Sequence, residues 1–392
     1  MNHTTRRHFH RLALAAGLPL GLLARAASAA EPGLADRWDR LRAEQPRLPA
    51  RDAARTLGVS EAELLATRVG SVATRLQEGS DAAREIMRRV LGLGEITAIT
   101  RNEHSVIETT GVPRPLPEQM TRGSGDAKAD EERRLRMRNV VGYLGGPIDL
   151  RIDFAAWRHA FAVTQPGAQG KTSRSLQFFD AQGQAVHKVY LTEGSDLAAF
   201  DRVVADFAAQ AQSAALTVEP APPRPAVRPD SAIDLAEFRL AWNEITDVHQ
   251  FARLLTDFKV ERQQALRLAP AGKTAALEPL AVRSLLHEAA AKRVAIMAFV
   301  GNRGVTQIFS GTVTRVEEAG GYFNVLDPTF NLHLRDRHFR SAWLIERGNV
   351  VSVEFYDDQG DLAVSFFGVH ARGEPQPEAW KALARGLPRL PA

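Results

Sequence analysis

The chain has 392 residues, 44% of them apolar and 24% charged, a globular composition with room for two domains of ordinary size. It contains no cysteine, which excludes disulfides, thiolate metal centres and iron–sulfur clusters and leaves His, carboxylate, Tyr and Met as metal ligands. Before Ala30 the charged side chains are Arg6, Arg7, Arg11 and Arg25; without these four, 50 Lys+Arg becomes 46 against 46 Asp+Glu, a neutral body that argues against phosphate-driven nucleic-acid binding.

Residues 1–29 have a basic start, an apolar middle from Leu12 to Ala24 and a small-residue end at Ala27-Ser28-Ala29. The middle is shorter than the roughly 20 apolar residues of a membrane span. Thr5, Arg6, Arg7 and Phe9 form a paired-arginine export signature, so the mature chain is expected to start near Ala30, in the periplasm and without a membrane span. Next, "ARTLGVSEAELLATRVG" from Ala54 to Gly70 reads as two helices around a Gly58 turn, with Ser60 as N-cap and Glu63 at the capping-box position. Its second helix offers Arg68 beside Glu61 and Glu63, so it is expected to be a structural hairpin rather than a DNA reader. Helical patterns follow at Asp81–Leu91 and Leu280–Ala291, and the turns in "FFDAQG" and "FYDDQG" predict antiparallel hairpins. The polar stretch 113–138 reads as a surface loop, and the five prolines between Glu219 and Asp230 read as a linker.

The same order of signals occurs on both sides of that linker. "AITRNEHSVIETTG" from Ala98 matches "AFVGNRGVTQIFSG" from Ala298, placing Asn102 on Asn302 and Gly111 on Gly311 without a gap. The segment from Pro147 matches that from Thr329, placing Leu150 on Leu332 and Arg151 on His333. A third pair starts at Ser175 and Ser352, and each half closes with a helical pattern. The fold expected is α+β: two similar repeats at 30–218 and 232–392, joined by a linker at 219–231. Each is a mostly antiparallel sheet packed by helices, with a cleft between them suited to a cofactor.

No phosphate-binding Gly loop, His-Glu-x-x-His helix or nucleophile turn is present. His187 in "VHKVYL" reads as a structural strand residue able to face solvent. In "NEITDVHQFARLL", helical winding puts Phe238, Trp242, Ile245, His249 and Ala252 on one apolar stripe. Spacing leaves two readings of His249 open: a core histidine bonded to a backbone carbonyl, or an axial ligand of an iron porphyrin on a greasy wall.

The segments "TDVHQF" (Thr246 to Phe251), "RQQAL" (Arg262 to Leu266), "IMAFVGNRGVTQIFSG", "NLHL", "LGVSEAELLATRVG", "AITRNEH", "IDLR" and "SLQFFDAQGQAVHKVYL" resemble the HemS/HmuS haem-utilisation proteins, also called hemin-degrading factors. The resemblance spans nearly the whole mature chain. It implies haem held between the two repeats, with His249 as axial iron ligand, Arg151 distal, Arg262 near the haem and Phe299 in an apolar pocket. The implied function is haem binding and carriage in iron acquisition, with a haem transporter or acceptor protein as partner; the alternative is an oxygenase-type haem-degrading enzyme in which Arg151 is catalytic. The chain also departs from the family. Ile152 and Asp153 precede Phe154 where Leu-Phe is usual, "WLIERGNVVSV" lacks a Lys-Pro-Thr segment, and Ser365 and His370 replace a glutamine and an arginine. The propionate contacts are therefore expected to be rebuilt, with His370 as a candidate. The family is typically cytoplasmic, so the export signature favours carriage over ring opening.

Overall fold

The computed structural model describes residues 33–116, 140–167, 170–248, 250–370 and 374–390. The export signature, most of the 113–138 stretch and His249 itself lie outside the described residues.

The first half opens with α1 (Leu34–Glu44), α2 (Ala50–Leu57) and α3 (Glu61–Ala66). Gly58 takes φ 72° after α2, and Ser60 and Glu63 make the reciprocal capping box that starts α3. Ala62, Leu64 and Ala66 are buried, so this pair of helices packs structurally, as expected. There follow β1 (Ala73–Arg75), α4 (Ser80–Val90), β2 (Gly94–Arg101), β3 (Ser105–Gly111), β4 (Asp149–Ile152), β5 (His159–Pro166), β6 (Thr172–Phe179), β7 (Ala185–Ser195) and α5 (Leu197–Phe207). Residues 219–229 are neither helix nor strand.

The second half begins with α6 (Leu235–Asn243), α7 (Gln250–Phe258), α8 (Arg262–Leu268), β8 (Thr274–Leu277) and α9 (Ala281–Ala291). Eight strands follow: β9 (Ile296–Gly301), β10 (Val305–Gly311), β11 (Val316–Ala319), β12 (Tyr322–Asp327), β13 (Phe330–Leu334), β14 (Ser341–Arg347), β15 (Val350–Tyr356) and β16 (Leu362–Gly368). The last helix is α10 (Glu378–Arg385). None of the helices among the described residues is long and apolar enough to cross a membrane.

Neighbouring strands pair antiparallel in a nine-stranded sheet, β1-β5-β6-β7-β2-β3-β13-β12-β11, and a seven-stranded sheet, β4-β10-β9-β16-β15-β14-β8. The α+β architecture is the one expected. The sheets, however, do not follow the halves of the chain. Strand β4 of the first half joins β10 of the second, with Arg151 opposite Thr306, while β13 of the second joins β3 of the first, with His333 opposite Val106. The aligned positions Arg151 and His333 thus occupy equivalent places in an exchange of strands.

The two hairpin turns lock this exchange. Asn102 donates through Nδ2 to the carbonyls of Gly301 (3.1 Å) and Ala363 (2.8 Å), and Asn302 donates to those of Arg101 (2.9 Å) and Val186 (2.8 Å). Each Oδ1 accepts two amides of its own turn. Beneath the turns lies a core shared by the two sheets, where Ile107, Phe330 and Leu332 pack with Ala298, Val353, Phe366 and the apolar faces of α9 and α10.

Two expectations are corrected. The stripe through His249 is not one helix: α6 ends at Asn243 and α7 begins at Gln250. The break is held by Gln250, whose Oε1 accepts the amides of Thr246 (2.9 Å) and Asp247 (3.0 Å), bonds that a continuous helix would make along its backbone. Ala252 is consequently exposed, and Phe251 and Leu254 are the buried side chains of α7. His187 is a structural strand residue, as expected, but it does not face solvent. It is buried, with Nδ1 2.9 Å from Thr100 Oγ1, and burial pushes its imidazole down to about 3.

Candidate functional site

Side chains directly opposite one another across an antiparallel sheet share a face. On the face of the seven-stranded sheet away from the shared core, the pairings run from Asp149 through Ile308, Phe299 and Ser365 to Glu354 and Trp343. One step along lie Arg151, Thr306 and Gly301, and on the other side Ser310, Met297, Phe367, Ser352 and Ile345. Arg151 and Phe299, 148 positions apart in the sequence, therefore belong to one surface. Three strand spacings, on the order of 14 Å, separate β4 from β16.

Helices α6, α7 and α8 cover only one end of that surface. Phe238, Trp242, Ile245, Phe251, Leu254 and Leu266 pack on Ile345 and Tyr356, above β14 and β15. The strip over β16, β9, β10 and β4 is left with half-buried Phe299, Met297 and Phe367, which belong to none of the buried clusters; the Phe299 and Phe367 rings lie 5.0 Å apart. At its far edge Arg151 is exposed and bonded to the Asp149 carboxylate and, at 3.2 Å, to the Leu150 carbonyl. The acid beside Arg151 is thus Asp149. Asp153, two positions on, caps a short 3-10 turn by accepting the Ala155 amide.

At the covered end, Arg262 opens α8 and grips Glu354 with both forks, Nε to Oε2 at 2.8 Å and Nη2 to Oε1 at 2.6 Å. Arg347 reaches the same carboxylate at 3.2 Å and Ser352 at 2.8 Å, and the Tyr356 hydroxyl donates to it as well. Burial alone would push Glu354 up, but the two guanidiniums bring it down to about 2. Burial works against the Arg262 charge too, yet Glu354 raises it above the usual arginine range. Both guanidiniums face the Phe251 ring, at 5.2 Å for Arg262 and 4.7 Å for Arg347. Phe251 lies two residues after His249, so this cluster anchors the start of α7. Sequence reasoning missed Arg347, Glu354 and Asp149. Only Asp149 was signalled locally, by standing two positions before Arg151 in a strand.

The remaining candidates divide. Ser365 lies in the strip, directly between Phe299 and Glu354 in register. His370 lies beyond the end of β16 with Nδ1 bonded to the Gly368 carbonyl at 2.8 Å, and no bond joins it to Arg151, Arg262 or Phe299. Phe299, Thr306 and Ser365 also wall a cavity of about 1490 Å³ that runs under the linker to Arg51 and Arg101.

A sequence model of the haemin-degrading HemS.ChuX domain matches the chain twice, at residues 58–207 and 259–387. The chain is 34% identical over 87% of its length to the hemin transport protein HmuS of Yersinia pestis, covering 93% of that protein. The chain belongs to the HemS haem-utilisation family. Among solved members, holo-PhuS, a heme-binding protein from Pseudomonas aeruginosa, is 37% identical with a TM-score of 0.80, over 91% of this chain and 99% of that one. ChuS, an Escherichia coli heme oxygenase, is 28% identical with a TM-score of 0.73, over 90% and 99%. The two HemS-domain matches are separated by residues 208–258, which include the proline-rich stretch.

Proposed function

We propose that this chain binds and carries haem in iron acquisition, with the iron held between His249 and Arg151. The observation that carries the reading is the strip itself: an apolar floor of Met297, Phe299 and Phe367 open beside the helical layer, with the exposed guanidinium of Arg151 at its other edge. Haem is the cargo here. A flat apolar macrocycle suits the floor, neutral imidazole is a good iron ligand, and arginine is a permanent charge and hydrogen-bond donor but a poor ligand. Arg262 is half of an ion pair with Glu354, so its role toward haem is to fix the histidine segment through Phe251 rather than to meet a propionate directly. His370 contributes only if haem extends past the end of β16. The paired-arginine signature supports work in the periplasm, where haem would pass to a transporter or acceptor protein.

A haem titration of the chain starting at Ala30 tests this. Wild type should give a saturable Soret band at one haem per chain, which His249→Ala should abolish or shift; a wild-type chain with no Soret change would overturn the reading. The similarity to ChuS supports a second reading, haem degradation. With an electron donor and oxygen added, persistence of the band supports carriage, and stoichiometric loss to a linear tetrapyrrole supports the enzyme.

A further inference from the structure

The turn between β2 and β3 meets the turn between β15 and β16 beside Asn102, which donates to the Ala363 carbonyl at the start of β16. There His104 Nε2 stands 3.6 Å from Asp357 Oδ2, longer than a hydrogen bond, and one ligand atom each of His104, Asp357 and Asp358 lies within 4.8 Å of the others. His104 is 8% exposed, and its Nδ1 is buried without a hydrogen-bond partner. A buried imidazole nitrogen left without a partner is costly to keep unless something else occupies it.

We propose that His104, Asp357 and Asp358 form a site for one divalent first-row transition-metal ion, separate from the haem strip and clipping the first half of the chain to the second. The donor chemistry favours it. One nitrogen and two carboxylate oxygens suit Zn²⁺, Mn²⁺, Fe²⁺ or Co²⁺, while a soft cuprous ion would ask for sulfur. Bonds of about 2.1 Å bring such donors roughly 3.0–3.5 Å apart, so the cluster needs to contract by about an ångström. Asp358 is exposed and free to swing, whereas Asp357 is already oriented by the amides of Gln359 and Asp361, both 2.9 Å from its Oδ1.

Charge points the same way. The neighbouring acids are already compensated, Glu103 by Arg51 and Arg55 and Asp361 by Arg224. Asp357 has only His104 as an ion-pair partner, and Asp358 has none among the described residues. The His338 ring stacks on the His104 imidazole at 4.8 Å and holds its plane. Across the turn, the Arg335 amide donates to the His104 carbonyl at 2.8 Å and its guanidinium pairs with Asp52 at 3.0 Å, so the imidazole sits on a braced backbone.

The test is a Co²⁺ titration of the full, metal-stripped, haem-free chain, read by the visible d–d absorption and by the thermal midpoint. One Co²⁺ per chain with a rise in midpoint is expected. Asp358→Asn, at an exposed position that folding does not need, should weaken binding by about ten-fold or more, His104→Ala should abolish it, and His249→Ala should leave it unchanged. Absence of saturable Co²⁺ binding, binding as in wild type by Asp358→Asn, or binding lost with His249→Ala would overturn the proposal. The first two outcomes leave the haem reading untouched.

Discussion

At the scale of single residues, Glu354 and His187 are two of the buried groups through which the fold responds to acid. Glu354 is fully buried and held at about 2 against an ordinary 4.5 by Arg262 and Arg347. A lowered carboxyl contributes stability that is complete above its ordinary value and is lost as pH falls from 4.5 toward 2. Glu354→Gln removes the charge and leaves Arg347, 3% exposed, without its counter-ion. We expect a cost of about 3–5 kcal/mol in urea unfolding at pH 7 and, on the haem reading proposed above, weaker haem binding, because Arg262 and Arg347 lose the carboxylate that holds them against Phe251. His187 acts in the same direction at milder pH. Its imidazole, about 3 in the fold against 6.5 ordinarily, must stay neutral, so stability is complete above 6.5 and falls on acidification. The slope should approach about 1.4 kcal/mol per pH unit between pH 6 and 4, and His187→Gln should flatten it.

At the scale of elements, the paired hairpin turns carry the junction. Asn102 and Asn302 each close their own turn and donate across to carbonyls of the other half. Replacing either with Ala strands several carbonyl and amide groups at the junction. Each variant should lose about 2–4 kcal/mol in chemical denaturation, with an unchanged denaturant slope if the fold is retained. The Asn302 turn is the tighter of the two. Gly304 accepts the Trp157 indole at 2.9 Å and the Asp153 amide at 2.8 Å, and a Cβ there would come within 2.6 Å of Val186. Gly304→Ala should therefore cost about 1–3 kcal/mol, although its backbone angles suit any residue; a neutral variant would mean that this turn is not packed firmly on Val186 and Trp157.

At the scale of the whole molecule, exchange of β4 and β13 makes the halves mutually dependent. A first half expressed alone would leave β3 as an open, apolar edge, and a second half alone would lose β4 and, with it, Arg151. Segments 30–218 and 232–392 are each expected to aggregate alone and to form a 1:1 complex when co-expressed, as read by size-exclusion chromatography. Monomeric, cooperatively unfolding halves would contradict this. The exchange also puts residues of both halves on one surface: Arg151 is built into the sheet that carries Phe299.

What was legible in the sequence was local or periodic. The Ser60–Glu63 cap, the Gly58 turn, the Asp-x-x-Gly hairpins, the proline linker and the repeated order of strands all depend on neighbours a few residues apart, or on a pattern compared with itself. The helix through His249 was misread because period alone cannot see Gln250 turning its side chain back onto Thr246 and Asp247. Pairings decided at long range stayed hidden: Arg262 with Glu354 across 92 positions, and Asn302 with Arg101 across 201. The sequence by itself determined the α+β class and the antiparallel strand pattern that recurs in both halves. Only the tertiary structure decided that β4 crosses over, because strand register between distant segments is set by which buried faces match, and it thereby put Arg151 and Phe299 on one floor.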